Sequence, residues 1–302
     1  MPRKAGRPRS QSHPPSQAAT EYAPTPPLPK SPAQPSRHRI RPYAPAPKVA
    51  RPAKPPQKAP RHRRFPHHPD GYGAAMTALL EVIALDAEDA VAAQEGGADR
   101  LELVRDIAAD GLTPDAATVR SVLSATDLPV RVMLREDSGY LARDVDALRR
   151  RAGELRELGV TEFVLGFLDE HGEVDVGSTR HVVAELGDGS SWTFHRAVDH
   201  AVHYRLAWNH AVSLGPDAVL TAGHPDGVGE GLAELHEQAA TQDIDGVVLL
   251  AGGGLRQEHV DDLRAAGVRA FHIGTGARED WSSPVRPDLV RRWRSTIDTA
   301  TP

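Results

Sequence analysis

Residues 246–277 read GVVLLAGGGLRQEHVDDLRAAGVRAFHIGTGA, and this stretch decides the fold. A short run of valine and leucine leads into three glycines, then into an amphipathic segment that ends at Gly267, then into a second apolar run. Apolar runs of this length that alternate with helical segments are typical of parallel strands joined by crossover helices. A glycine after the helical segment suits the left-handed conformation that closes a helix. The stretch therefore predicts a strand–helix–strand unit.

The same pattern extends over the whole chain from residue 79 onward. The candidate strands are 79–85, 98–104, 128–135, 162–168, 191–197, 217–223, 246–252 and 269–275. The helical segment 142–159 places apolar side chains on one stripe, namely Val145, Leu148, Ala152, Leu155 and Leu158. As at Gly267, a glycine ends several of the other helical segments: Gly97, Gly159, Gly187 and Gly215.

Repeated strand–helix pairs limit the choice of fold to two architectures. Eight pairs in about 225 residues match the size of a (β/α)₈ barrel of the TIM type. An open, doubly wound parallel sheet is the alternative that the same alternation allows. We predict the α/β barrel for residues 76–302, with its chemistry at the carboxyl ends of the strands.

The N-terminal segment has a different composition. Residues 1–73 hold 19 of the 26 prolines and 15 of the 36 basic residues, against only Glu21 and Asp70 as acidic residues. Too few apolar side chains are present to offset the entropy of ordering, so residues 1–75 are predicted to be a disordered, proline-rich basic tail. Such a tail is suited to nucleic acid or an acidic surface, and we expect nucleic-acid contact nowhere else. Alternatively, translation starts at Met76 and the natural protein lacks the tail.

The chain lacks cysteine, long apolar stretches and, in the predicted barrel, lysine, and each absence excludes a class of chemistry or location. The chain has no cysteine, which excludes disulfides, thiolate metal ligands and cysteine nucleophiles. No apolar stretch approaches the ~20 residues of a membrane span, and no secretory signal is present, so we expect a cytoplasmic protein. Imine chemistry is excluded for the predicted barrel, because every lysine lies in the tail: Lys4, Lys30, Lys48, Lys54 and Lys58.

Polar residues near the ends of the predicted strands are the candidate site. They are Glu81, Glu102, Arg135, His195, Arg196, Thr221 and His272, with Asp199 close behind. Buried carboxyl groups near one another require compensating partners, which favours a functional cluster. In TFHRAVD (193–199), strand alternation directs Thr193 and His195 to the barrel interior. His195 is predicted to carry a proton, and Arg196 with Asp199 to clamp an anion.

Glycine-rich turns follow the seventh and eighth predicted strands. Barrel loops at these two positions often bind phosphate through backbone N–H groups. Glycine lets the backbone approach an anion closely, although two tight connecting turns would have the same composition. We predict an anion or phosphate site formed by Gly252, Gly253, Gly254, Gly274 and Gly276.

Seven motifs in sequence order resemble the copper homeostasis protein CutC family. They are LLEVIALDAEDAVAAQEGGADRLELV, DGLTPD, PVRVMLRE, TFHRAVD, VLTAGH, LLAGGGL and FHIGTGA, and the resemblance extends over essentially all of residues 79–280. The resemblance implies a (β/α)₈ barrel, a homo-oligomer and a role in copper homeostasis. It also implies that the strand-end cluster described above is the family's polar cluster.

Three departures from the family pattern bear on its function. The third loop reads REDSGYLAR, so its arginine set is reduced to Arg135 with Arg143 further away, and Thr221 stands where serine is usual. The cysteines and methionines of a soft copper site are missing, and Cu(I) relies on such ligands. Imidazole suits Cu(II) or zinc, so a divalent metal, with copper implied by the family name, stays open as a cofactor.

Three functions therefore compete. The first is an isomerase- or lyase-like enzyme on a small anionic, phosphorylated molecule, with Glu81, Glu102, His195 and His272 as catalytic residues. In that enzyme Arg135, Arg196, Asp199, Thr221 and the five loop glycines bind the substrate. The second is a metal-binding or copper-trafficking protein that uses the same two glutamates and two histidines as ligands. The third is a non-catalytic protein whose basic tail carries the function.

Overall fold

A computed structural model describes residues 78–300, in which eight parallel strands form a closed barrel. The first strand pairs with both the second and the eighth, so the open-sheet alternative is excluded and the predicted barrel is confirmed. The predicted tail and the alternative start at Met76 lie outside the described residues. None of the described helices is long and apolar enough to cross a membrane.

The strands fall inside the predicted apolar runs. They are β1 (Leu79–Ala84), β2 (Arg100–Leu103), β3 (Val130–Met133), β4 (Glu162–Leu165), β5 (Ser191–Phe194), β6 (Ala218–Thr221), β7 (Val248–Gly252) and β8 (Ala270–Ile273). Most are shorter than the runs at their carboxyl ends, because the chain turns there into the loops of the barrel mouth. After β5, for example, a 3₁₀ helix already begins at Arg196.

A helix follows each strand. The helices are α1 (Ala87–Gly96), α2 (Ala116–Ala125), α3 (Val145–Glu157), α4 (Val176–Val183), α5 (Tyr204–Ser213), α6 (Val228–Asp245), α7 (Val260–Ala265) and α8 (Pro287–Thr299). The first four begin after an aspartate whose carboxylate accepts backbone N–H bonds, namely Asp86, Asp115, Asp144 and Asp175. The five predicted closing glycines all have φ between 75° and 98°. The prediction that these glycines close their helical segments is thus confirmed.

The barrel interior is polar on one side and apolar on the other. Leu79 and the inward side chains of β6 and β7 pack together with Ala270 as an apolar wall. On the opposite side lies a set of charged side chains, here called the buried polar layer: Glu81, Arg100, Glu102, Arg131, Glu162 and His272. Three carboxyl groups there face three basic groups.

An apolar cluster separates this layer from the mouth on the side of β1 to β4. Ile83, Val104, Met133 and Val164 form it, each two residues beyond a member of the buried polar layer. Side chains two apart in a strand lie on the same face, so the cluster is stacked on the layer toward the carboxyl ends. Trp281 packs against the cluster from the loop after β8.

Candidate functional site

Glu81, Glu102 and His272 come together inside the barrel, but they lie in the buried polar layer beneath the apolar cluster and not at the mouth, where the sequence placed them. The Nδ1 atom of His272 lies 2.8 Å from Oε1 of Glu81, and its Nε2 atom lies 3.7 Å from Oε2 of Glu102. Arg100 donates a hydrogen bond to the other carboxylate oxygen of Glu81. One ligand atom from each of the three predicted residues fits within 4.8 Å of the others. The three side chains therefore form a single charge-coupled cluster.

The charges in this cluster set different protonation states for its two carboxyl groups. Burial raises the pKa of Glu102 to about 7, and the charge of Glu81 adds to that rise. Burial acts on Glu81 in the same direction, but Arg100 and His272 outweigh it and hold the pKa of Glu81 well below its usual range. Burial alone would lower the pKa of His272, yet Glu102 and Glu81 raise it. Glu102 is thus the carboxyl group of the layer that exchanges a proton near neutral pH, while His272 keeps its proton to a higher pH than a free imidazole does.

Three members of the buried polar layer were missed by the sequence reasoning. Arg131 donates to Oε2 of Glu162 at 3.1 Å and also to the hydroxyl of Thr193, while Arg100 holds Glu81. A signal for the two arginines was available, because each lies at an inward position of its strand, in RLEL and VRVM. The layer is therefore largely neutralised by its own residues.

Arg135 is a buried cation whose hydrogen bonds go only to backbone carbonyls. Its side chain donates to Gly139 O at 2.8 Å, Asp110 O at 3.0 Å and Gly111 O at 3.1 Å. Only 3% of the residue is exposed, and its second terminal nitrogen, Nη2, bonds to no described residue. Burial lowers the pKa of Arg135, which is the mark of a charge removed from water. A desolvated guanidinium without a carboxylate partner is prepared for an anion.

His195 lies beside this arginine as a neutral ring. Its Nδ1 accepts a hydrogen bond from the backbone N–H of Ala197 at 3.2 Å, which assigns the ring hydrogen to Nε2. Burial, followed by the charge of Arg135, lowers the pKa of His195 to about 3. The Nε2 atom is buried and bonds to no described residue. The geometry therefore favours a hydrogen-bond donor at this position instead of the predicted proton carrier.

His195 faces the side of the strand that the sequence predicted. It shares that side with Thr193, whose hydroxyl accepts from Arg131 inside the barrel. A Cβ atom added to Gly166 at the end of β4 would lie 3.0 Å from His195 Nδ1. The glycine thus makes room for the imidazole.

Tyr140 and His200 complete this part of the mouth, and sequence reasoning missed both. The Tyr140 ring lies under the Arg135 guanidinium at 4.8 Å, meets His195 edge-on at 5.7 Å and stacks on His200 at 4.9 Å. The backbone of Tyr140 is fixed by Leu168, whose N–H donates to its carbonyl at 2.8 Å. Arg135, Tyr140, His195 and His200 are called the mouth site below.

Arg196 and Asp199 form the predicted pair. Arg196 Nε donates to Asp199 Oδ2 at 2.8 Å, and Nη2 donates to Pro225 O at 3.1 Å. Asp199 is itself buried and accepts from the backbone N–H groups of Ala222 and Gly223. The carboxylate therefore positions the arginine and does not itself contact an anion. Burial raises the pKa of Asp199 despite the opposing effect of Arg196.

Thr221 does not lie where the sequence predicted it. The inward positions of β6 are Ala218 and Leu220, so Thr221 points away from the barrel axis. Its hydroxyl donates to Asp199 and lies 3.0 Å from the hydroxyl of Tyr204. Thr221 thus joins the sheet to the segment that precedes α5, and we withdraw it from the anion-binding set.

Glycines of the seventh loop serve different purposes. A Cβ on Gly252 would lie 2.7 Å from His272 Cβ, so this glycine is required for packing inside the barrel. Gly253 has φ +94°, and a Cβ there would lie 2.5 Å from Arg196 Nε. Gly254 has φ +70° and an open surrounding. The anion-binding role of Gly253 and Gly254 beside Arg196 stays a prediction.

In the eighth loop, tryptophan rings cover the two glycines. A Cβ on Gly274 would lie 2.5 Å from the Trp281 ring, and one on Gly276 would lie 2.7 Å from Trp293 Nε1. Trp293 also donates to Gly276 O at 3.0 Å. Within residues 78–300, the backbone N–H groups of Gly253, Gly254 and Gly274 make no hydrogen bond. Packing against the tryptophan rings explains why both positions of this loop are glycine. The unbonded N–H groups of the seventh and eighth loops are the donors that could bind an anion.

The metal hypothesis can be tested against the donor set. Two carboxyl groups and one imidazole are hard and intermediate ligands, whereas Cu(I) prefers sulfur, and Met133 belongs to the apolar cluster. His195, the fourth predicted ligand, is not part of this group. A divalent cation would also have to displace Arg100 and the proton of His272. The buried polar layer therefore does not fit Cu(I), and its charges already compensate one another.

Sequence and structure comparisons with known proteins point to the same family. The sequence profile of the CutC family matches residues 78–277. A CutC family protein of Enterobacter sp. (strain 638) is 34% identical over 213 residues, 69% of this chain and 84% of the relative. One of Pectobacterium atrosepticum is 32% identical over 211 residues, 68% and 81% of the two chains. A crystal structure described as a candidate copper homeostasis protein CutC, from Streptococcus agalactiae, superposes with a TM-score of 0.60 at 20% identity. The superposition covers 66% of this chain and 99% of the other.

Proposed function

Because the chain belongs to the CutC family, we propose that it is a barrel enzyme of that family whose mouth binds a small anionic, phosphorylated molecule. The reaction that suits the residues is an isomerisation or a lyase step at a carbon beside a carbonyl group. Imine formation has no part in it, since residues 76–302 contain no lysine.

The proposal rests on one observation: the buried guanidinium of Arg135 has no anionic partner among the described residues. The guanidinium is desolvated, all its hydrogen bonds end on neutral carbonyls, and Nη2 remains unused. Leaving a buried donor unsatisfied costs about 1–3 kcal/mol, and more for a charged group. An anion bound there would recover that cost and neutralise the charge.

His195 supplies the polarising group beside that anion. Its neutral Nε2–H is held ready by the bond between Nδ1 and Ala197, and it is unused within the described residues. A preorganised donor aimed at a carbonyl oxygen stabilises the negative charge that develops there during enolisation, and the neutral ring of His200 in the same mouth site is the base that would accept the proton from the neighbouring carbon. A neutral imidazole can do this because it remains a donor across the physiological pH range.

Arg196 and the glycine loops extend the anion-binding surface. Arg196 lies against Gly253, and the N–H groups of Gly253, Gly254 and Gly274 form no hydrogen bond within residues 78–300. Backbone N–H groups and a guanidinium together are a common recognition set for phosphate. These groups support phosphate as the anion.

Inorganic phosphate and phosphate esters, titrated calorimetrically into the protein, test the proposal. We expect Arg135→Gln to weaken binding at least about tenfold, which corresponds to 1.4 kcal/mol. Arg149→Gln is the matched control, because Arg149 is an exposed arginine paired with Glu185 and should change nothing. Equal binding by Arg135→Gln and the wild type, or no binding by the wild type, would refute the proposal.

The copper role comes to this chain only from its family. Copper homeostasis is the description of the Streptococcus agalactiae relative. The described residues offer no sulfur ligand pair for Cu(I), so we assign no step of the reaction to copper. The sequence-based hypothesis of a divalent metal at Glu81, Glu102 and His272 stays a prediction, for which a titration is given below.

A further inference from the structure

A cleft of about 470 Å³ opens beside the mouth site. Its volume lies in the range of small-molecule sites, about 300–1,000 Å³. It is formed where the segment before α5 meets the loop after β6 and the second turn of α6. The lining residues that matter below are His200, Val202, His224, Pro225 and Glu234.

The cleft borders the proposed anion site through His200. His200 lines the cleft and also stacks on Tyr140 at 4.9 Å, and Tyr140 in turn lies under Arg135 at 4.8 Å. Arg196 donates to the carbonyl of Pro225, another lining residue, at 3.1 Å. A molecule whose anion lies at Arg135 can therefore extend over the Tyr140–His200 pair into the cleft.

The cleft offers acceptors, in contrast to the donors of the anion site. Glu234 lines it, and the buried Oε2 atom of this glutamate has no hydrogen-bond partner among the described residues, although Arg205 Nε lies 3.5 Å away. Burial lowers the pKa of His200, so this ring is neutral. Val202 adds an apolar surface that is 64% exposed. These groups suit an uncharged portion that carries hydroxyl donors, and they disfavour a second anion.

We propose that this cleft binds the uncharged, hydroxyl-bearing portion of the same substrate whose anionic group binds at Arg135. The substrate class is then a phosphorylated polyol or sugar, longer than a bare anion. The inference rests on the proposed function, because the anion site fixes the position from which the molecule extends.

The test compares inorganic phosphate with ribose 5-phosphate on the full chain. We expect the wild type to bind the ester at least about tenfold more tightly than phosphate, a difference of 1.4 kcal/mol. Val202→Trp fills the cleft and should remove that advantage while phosphate affinity stays unchanged. Leu206→Trp is the matched control, since Leu206 is an apolar residue 43% exposed in the first turn of α5, four residues after Val202, but does not line the cleft.

A second pair of variants tests the chemistry instead of the volume. Glu234 and Glu237 both pair with Arg205, but only Glu234 lines the cleft. Glu234→Gln should weaken binding of the ester at least about threefold, and Glu237→Gln should not. Circular dichroism and the unfolding midpoint confirm that each variant is folded.

The outcomes separate the two proposals. If phosphate binds in an Arg135-dependent manner but Val202→Trp and Leu206→Trp bind the ester equally, the cleft proposal is wrong and the anion site stands. The same conclusion follows if the wild type prefers phosphate over the ester. If the wild type binds neither compound, the proposed function itself fails.

Discussion

The substitution Glu102→Gln tests the buried polar layer through the pH dependence of stability. Burial raises the pKa of Glu102 from 4.5 to about 7 in the folded protein. The folded state therefore holds this proton more tightly than the unfolded chain does. The stability from that proton is complete below pH 4.5 and is lost as the pH rises through 7. At 1.36 kcal/mol per pKa unit, the loss amounts to about 3 kcal/mol by pH 8.

Glutamine keeps the shape of the protonated carboxyl group and cannot ionise. The free energy of unfolding of the variant, minus that of the wild type, should thus increase by about 2–3 kcal/mol between pH 5 and pH 8. Urea denaturation at several pH values measures it. Glu157→Gln, an exposed glutamate at the end of α3, serves as the control and should follow the wild-type curve. A difference between Glu102→Gln and the wild type that stays constant from pH 5 to pH 8 would refute the reasoning.

Three further predictions concern packing, a buried ion pair and metal. Gly274→Ala forces a Cβ against the Trp281 ring and should cost about 1–3 kcal/mol in urea denaturation. Gly153→Ala, in an open position of α3, should instead stabilise by about 0.5–1 kcal/mol, and the same sign for both would contradict the packing argument. Arg278→Met leaves the carboxylate of Asp89 buried without its 3.2 Å partner, so we expect a loss of about 3–5 kcal/mol. A loss below about 1 kcal/mol would mean that the pair is dispensable. Zinc, Cu(II) or Cu(I) added to chelator-treated protein should leave the unfolding midpoint unchanged, because the buried polar layer is already compensated. A stabilisation near 2.7 kcal/mol at 100 times the dissociation constant, abolished by Glu102→Gln, would establish the metal site instead.

Side-chain size decided which parts of the strand prediction succeeded. In β5 and the residue that follows it, bulky Trp192 and Phe194 alternate with Thr193 and His195, so the sequence could assign the larger pair to the helical layer. The sequence AVLT of β6 carries no such contrast, and its inward face was assigned wrongly, which placed Thr221 in the mouth. Strand periodicity gives two faces, but it gives no sign of which is inside when both carry small or medium side chains.

The site could be predicted only as far as it depends on strand ends. The repeat pattern implies that β1 has β2 and β8 as neighbours, which brings the three side chains to the same part of the barrel. The register pairs Glu81 with His272, whereas Glu102 pairs with Ile83, and the repeat pattern does not specify this. The apolar cluster above them is formed by the residues two positions further along each strand. The sequence reasoning did not consider those residues. The state of Arg135 depends on loop conformation, since its acceptors include the carbonyls of Asp110 and Gly139 in two different loops. Asp110 has φ 58°, a conformation that no periodicity indicates.

Because Trp281 covers Gly274 in the eighth loop, the fluorescence of this tryptophan can report on the barrel mouth. Of the four tryptophans in the chain, Trp192, Trp208 and Trp293 are exposed by only 2–4%, while Trp281 is partly exposed next to the Arg278 guanidinium at 5.0 Å. A collisional quencher such as iodide therefore reaches one indole much more readily than the other three. The quenchable fraction of the intrinsic fluorescence reports the eighth loop, so ligand entry at the mouth can be followed in solution without an attached label.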